Sequence, residues 1–269
     1  PTKIFVKNGT YYEKIVISEH TCNVKIQGED KDKTIITYND HANINKMGTF
    51  RTYTLQVRGN DITLENLTIE NNAERLGQAV ALHVEGDRIS NKASKILGCQ
   101  DTVYTGGNHS RQYYQNCFIE GTTDFIFGSA TVVFKNCTIK SLANSYITAA
   151  STDQTKEFGY VFFDCKLIAK ENIKKVFLGR PWRPYAKTVF INTEMGNHIL
   201  PEGWNPWKGD KMFPDKEKTA YYAEFASKGE GGKTENRVSW SHQLTKKKKK
   251  KYTIKNILGD WKPEMNNRE

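Results

Sequence analysis

Three copies of one short pattern constrain this chain more than anything else in it. Asn116-Cys117-Phe118-Ile119, Asn136-Cys137-Thr138-Ile139 and Asp164-Cys165-Lys166-Leu167 recur at nearly regular intervals, the second interval somewhat longer than the first. Leu64-Glu65-Asn66-Leu67-Thr68-Ile69 and Val189-Phe190-Ile191-Asn192 carry the same theme outwards. An internal period of roughly 20 to 30 residues marks stacked solenoid coils, in which each repeat contacts only its neighbours. In a β-solenoid, strands of adjacent coils lie about 4.8 Å apart, so residues one period apart stand side by side.

The intervening residues agree with that reading. Segments 3–6, 14–17, 24–28, 34–37, 55–57, 62–69 and 80–84 are short, rich in Val, Ile, Thr and aromatics, and bounded by Gly, Asn or Asp. No long amphipathic helix interrupts the chain before position 200. Short strands at this period favour an all-β, single-domain parallel β-helix over a sandwich. The repeated Asn suits a coil corner, because it tolerates left-handed backbone angles and its amide can stack into hydrogen-bonded ladders. Cys117, Cys137 and Cys165 occupy equivalent places in the repeat and are expected to stack as small core residues. A Cys117–Cys137 disulfide between coils is the alternative, and all five cysteines lack metal-ligand spacing. After position 200 the pattern changes. Pro201-Glu202-Gly203-Trp204-Asn205-Pro206-Trp207 reads as a loop, 221–225 as a late strand, and 240–261 as a polar tail with one helix near the lysine run. Residues 1–269 thus read as one domain, with about 200–269 as a loop and capping tail over the exposed solenoid end.

Asp101 and Asp124 are separated by one such period, so stacking makes them neighbours on one exterior face, where they are expected to lie exposed in a shallow, open groove. Gln78 and Gln100, likewise one period apart, fall into the same stack. Two carboxylates about 5 Å apart repel, so one is pushed toward protonation unless a cation holds it charged. Arg180 lies two coils beyond Asp124 at the longer period, from where its side chain would have to reach back.

The net charge is +10, which favours a polyanionic partner. Six of those charges sit in the single run 246–251, read as a solvated helix or loop face. No nucleic-acid-binding module is legible. Neither a signal peptide nor an apolar stretch long enough to span a membrane is present in the sequence. The six histidines form no metal-binding pattern, and no phosphate loop or Ser-His-Asp arrangement is evident.

Gly9-Thr10-Tyr11-Tyr12-Glu13, Gln78-Ala79-Val80-Ala81-Leu82, Gln100-Asp101-Thr102-Val103-Tyr104, Asp124-Phe125-Ile126-Phe127-Gly128 and Leu178-Gly179-Arg180-Pro181-Trp182 occur in that order. Together they resemble the pectin methylesterases (pectinesterases), over nearly the whole chain. Val103 stands where Leu is more usual in that family. The resemblance implies a right-handed parallel β-helix and no cofactor or metal. It implies that Asp124 is a nucleophile toward the C6 methyl ester of galacturonate and that Asp101 is the general acid and then base. Gln78 and Gln100 would donate to the oxyanion, and Arg180 would hold Asp124 ionised. Trp182, Tyr104, Phe125 and Trp204 are the candidate sugar-binding aromatics, with core or loop packing as the alternative for each and packing behind the site as that for Phe125. The partner would be methyl-esterified polygalacturonate, an acidic polysaccharide, with no nucleic acid or membrane partner and a monomer as the default. The setting would be secreted or periplasmic, the sequence being read as a mature chain.

Three other readings compete. A calcium-dependent lyase or a polygalacturonase would share the solenoid, although a lyase wants clustered calcium-binding carboxylates. A catalytically silent solenoid that binds acidic glycan is opposed by the intact Asp101, Asp124 and Arg180. A family member retuned to another ester or thioester is the closest in chemistry. The lysine run is a poor fit to the substrate groove, so changing all six lysines of 246–251 to glutamine should leave kcat almost unchanged, and a hundredfold loss would show the tail to be misplaced.

Overall fold

A computed structural model describes residues 1–264 of the chain. Among the described residues the strands form three parallel sheets, of ten, eight and seven strands. Each coil visits them in turn, which makes a right-handed parallel β-helix. The coil offsets are those of the repeat: Tyr113 pairs with Val133, Ile119 with Ile139, Ile139 with Leu167 and Val103 with Ile126.

The repeated Asn/Asp positions are the corners between the ten- and eight-stranded sheets. Asn66, Asn116, Asn136, Asp164 and Asn192 all adopt positive φ, between 53° and 55°. That left-handed conformation is cheapest for Gly, Asn and Asp. Each corner N–H then donates to the next coil: Asn116 to Lys135, Asn136 to Phe163 and Asp164 to Ile191, each at 3.0 Å. The corner at Asn66 also splits the sequence-predicted strand 62–69 into two strands, Asn60–Glu65 and Thr68–Asn71. An unpredicted strand, Gly9–Tyr12, opens the eight-stranded sheet.

The interior is a ladder of like residues. Tyr114, Phe134, Phe162 and Phe190 stack with centroid spacings of 4.9, 4.4 and 4.3 Å. Trp204 and Tyr222 continue the ladder, and Trp240 closes it against Tyr222 at 5.6 Å. Cys117, Cys137 and Cys165 are buried and free, so the inter-coil disulfide does not form. Their thiols donate to the backbone instead, Cys117 to the Asn91 carbonyl at 3.3 Å and Cys137 to that of Tyr114 at 3.5 Å. Burial pushes both of these thiols well above their ordinary pKa.

The tail does more than cover the last coil. Beyond Trp240 it turns back along the outer face of the ten-stranded sheet, where Leu244, Ile257 and Leu258 pack on Tyr113, Val133, Val161 and Val189. Arg111 donates to the Leu258 carbonyl at 3.0 Å and to Asp260 at 2.9 Å. The reason is that this outer face is itself apolar and needs a cover. The lysine run includes a short helix, Lys246–Lys249, capped by Thr245.

The aromatic ladder should carry much of the stability. Phe162 is 0% exposed and is stacked on both sides, so Phe162→Ala should cost about 3–5 kcal/mol by urea denaturation. A loss below about 1 kcal/mol would mean that the ladder relaxes around the gap.

Candidate active site

The corners that enter the seven-stranded sheet hold the candidate catalytic residues. Asp101 (φ 64°) precedes the strand Val103–Thr105, and Asp124 (φ 49°) precedes the strand Ile126–Gly128. Both aspartates thus hold the strained left-handed conformation, and both are tied to the next coil. The Asp101 N–H donates to the Thr123 carbonyl at 3.0 Å and the Asp124 N–H to that of Tyr146 at 2.9 Å. Thr102 supports the first corner by donating to the Cys99 and Glu120 carbonyls, both at 3.0 Å. One coil earlier, Gln78 forms a parallel bridge with Gln100. All four sequence-predicted polar residues therefore fall in adjacent coils at the same corner.

Arg180 follows the strand Phe177–Gly179, which is two strands from Ile126–Gly128 across the strand Tyr146–Ala150. It reaches back as a fork: Nε lies 3.0 Å from Asp124 Oδ1 and Nη2 lies 2.6 Å from Oδ2. Close passage of the backbone here requires glycine, because a Cβ on Gly179 would collide with the Thr148 hydroxyl. The guanidinium is sandwiched between rings, 4.0 Å from the Tyr146 centroid and 3.5 Å from that of Trp207. Such a cation held between two aromatic faces keeps one orientation.

Sequence reasoning placed the two carboxylates in an open groove, but they are largely covered, Asp101 being 8% and Asp124 6% exposed. Burial raises Asp101 well above the usual carboxylate range, and the neighbouring Asp124 charge adds to it. Asp124 is also raised by burial, but the hydrogen bonds and charge of Arg180 work against that rise. The proton of the pair therefore belongs on Asp101 and the negative charge on Asp124.

The aromatic candidates divide. Tyr104 lies outward against Phe127 at 5.0 Å, and Phe127 lies 5.8 Å from Trp182. These three form an apolar surface on the outer face of the seven-stranded sheet. Phe125 and Trp204 do not belong to it. Phe125 is 0% and Trp204 1% exposed, and both lie in the interior ladder's core. Phe125 sits at the corner before the strand Ile126–Gly128 and turns inward, and the corner resets the alternation: within the strand Ile126 faces the core and Phe127 the outer side. A signal for this existed: Tyr104 and Phe127 have the same separation along the chain as the two aspartates and pair directly in the sheet. Trp204 bridges to Gly179 and so continues the core coil, whereas Trp207, a little further along the loop, reaches Arg180. The loop carrying both is fixed by Arg237, which donates to the Leu200 and Pro201 carbonyls and pairs with the buried Glu224. Gly203 allows this contact, since a Cβ there would lie 2.5 Å from Arg237 Cδ at φ 71°. Sequence reasoning also missed Tyr146, although it too sits one period after Asp124.

With this geometry in place, comparison with known proteins is informative. The family model named Pectinesterase matches residues 1–260. An Arabidopsis thaliana protein assigned as a pectinesterase is 37% identical over 264 residues, covering 96% of this chain and 71% of that protein. Pectinesterase/pectinesterase inhibitor 18 of the same plant is 36% identical, but the chain spans only 44% of its length. Among solved structures, pectin methylesterase PemA from Erwinia chrysanthemi superposes with a TM-score of 0.88 at 30% identity, covering 98% of this chain and 90% of that one. A pectin methylesterase in complex with a hexasaccharide gives a TM-score of 0.85 at 30% identity, with 98% and 90% covered. The ordered motifs, the β-helix and the buried aspartate pair thus have one common explanation: the chain belongs to the pectinesterase family of pectin methylesterase enzymes.

Proposed function

We propose that this chain removes C6 methyl esters from methyl-esterified polygalacturonate through Asp124 as nucleophile and Asp101 as acid and base. The observation that carries the reading is the Arg180 fork on Asp124 beside a buried, proton-retaining Asp101. The hexasaccharide held by a related enzyme supports a polymeric sugar as the ligand. Pectin is too large to enter a cell intact, which sets the chain outside the cytoplasm, as a secreted or periplasmic protein. No helix among the described residues is long and apolar enough to cross a membrane.

The chemistry follows from the division of charge. The Asp124 carboxylate adds to the ester carbonyl carbon, and the oxyanion that forms accepts hydrogen bonds from the Gln78 and Gln100 amides. The tetrahedral adduct collapses, the C–O bond to methanol breaks, and Asp101 gives its proton to the leaving oxygen. What remains is a mixed anhydride between Asp124 and the sugar, with Asp101 now anionic. Asp101 then takes a proton from water as that water attacks the anhydride. Cleavage releases the galacturonate carboxyl group, restores the Asp124 carboxylate and leaves Asp101 protonated again. Arg180 makes Asp124 the anion before substrate arrives, and Tyr104 and Trp182, packed on either side of the buried Phe127, offer faces on which sugar rings can stack.

Incubation with highly methylated pectin should release methanol and generate no unsaturated uronate absorbance. Unsaturated product without methanol would instead establish a lyase. Replacing Asp124 with Ala should abolish turnover, because no covalent path remains. Asp101→Ala should cost about 10² to 10⁴ in kcat, the usual worth of positioned acid–base assistance. Equal, slight effects of both changes would remove both assignments.

The pH dependence has a definite sign. Activity needs Asp124 ionised and Asp101 protonated, so kcat/KM should be bell-shaped. The acid limb falls as pH drops through the Asp124 pKa, which lies above the ordinary carboxylate value, and the alkaline limb falls as pH rises through that of Asp101, which is higher still. Asp101→Asn should abolish the alkaline limb in whatever activity remains. Persistence of that limb would assign it to another group.

A further inference from the structure

One cation near the site is explained neither by the ordered motifs nor by the reaction steps above. Lys216 lies in the loop between Trp204 and the strand Tyr221–Phe225, and its side chain is 0% exposed. A fully buried lysine is costly, and an apolar residue of similar length would pack there without that cost. Its Nζ lies 2.6 Å from Asp210 Oδ2 and 3.4 Å from the Trp182 carbonyl. The same Nζ sits over the Trp207 ring, 4.4 Å from the centroid, while Arg180 Cζ lies 3.5 Å from that centroid. One unbroken set of contacts thus runs from Asp210 through Lys216, Trp207 and Arg180 to Asp124. The contact with the Trp182 carbonyl also ties the loop to a candidate sugar-binding aromatic.

Resting on the reading of Asp124 as nucleophile, we propose that Lys216 is a positioning residue, whose ammonium, oriented by Asp210, fixes Trp207 against Arg180 and adds a second positive charge behind Asp124. The charged neighbours are few. Lys216 faces Asp210, Arg183 and Arg180, and Asp124 faces Arg180, Lys216, Asp101 and the buried Tyr222. Burial lowers the Lys216 pKa and Asp210 opposes that fall. The Lys216 charge in turn helps Arg180 to counter the burial of Asp124. Loss of that charge therefore favours protonated Asp124, and the acid limb of activity moves to higher pH.

The full chain labelled with carboxyl-13C aspartate provides the test, with the Asp124 signal assigned from its absence in Asp124→Asn. In Lys216→Met the Asp124 titration midpoint should rise, and kcat below that midpoint should fall about tenfold for each unit of rise, with KM for pectin little changed. Trp207→Leu removes the ring between the two cations and should raise the midpoint in the same direction. Lys216→Arg, which keeps the charge, should stay closer to the unaltered protein than Lys216→Met does. An unchanged midpoint in a folded Lys216→Met would overturn the proposal. If that variant does not fold, an unchanged midpoint in Trp207→Leu does so alone. Absence of methanol release by the unaltered protein would defeat the functional reading, but the NMR midpoints would still decide the role of Lys216.

Discussion

The ion pair between Arg180 and Asp124 decides what the rest of the site can do. Two carboxyl groups buried side by side cannot both be charged, and burial alone would leave both protonated and inert. A guanidinium forked onto one of them breaks the symmetry. Asp124 becomes the anion, and Asp101, which receives no comparable partner among the described residues, keeps the proton. The proposed nucleophile and acid would then be set by the protein before substrate binds, in the same way that differing environments divide other paired carboxylates between roles. The Tyr146 and Trp207 faces matter because they fix the guanidinium plane, and a rotated fork would lose one of its two hydrogen bonds.

The β-helix delivers this pair through spacing. Strand pairing sets adjacent corners about 4.8 Å apart whatever the side chains are. The corner geometry then aims both aspartates the same way, at φ 64° and 49°. Those backbone angles carry a cost that the Asn corners elsewhere also meet, and the inter-coil hydrogen bonds at every corner offset it. The solenoid is firm at these positions, because the strands after Asp101 and Asp124 are paired on both sides and the edge strand before Arg180 is backed by the Gly179–Trp204 bridge. The one irregular contribution is the loop after Trp204, which Arg237 anchors at one end and the Lys216–Asp210 pair anchors in its middle.

Much of this was legible in the sequence, and the limits have physical causes. The repeat set the coil offsets, so the Asp101–Asp124 and Gln78–Gln100 juxtapositions and the two-coil offset of Arg180 were accessible without coordinates, whereas its contact with Asp124 was implied only by the family resemblance. The inward or outward phase of a side chain next to a very short strand was not, since a corner resets the alternation, and so Phe125 was mistaken for Phe127. Trp204 and Trp207 lie in a loop with no period, and nothing in its composition says which ring enters the core. Burial of the two carboxylates is a property of the assembled coils, which the spacing of two residues does not reveal. The path of the tail follows from an apolar outer sheet face, which a repeat shared by all coils does not reveal.

Neutron diffraction from crystals grown at near-neutral pD tests the division of charge most directly, because it locates deuterons on carboxyl groups. The free protein should show a deuteron on Asp101 and none on Asp124, with the Arg180 fork fully deuterated and aimed at both Asp124 oxygens. A deuteron on Asp124, or two bare carboxylates, would contradict the assignment of nucleophile and acid.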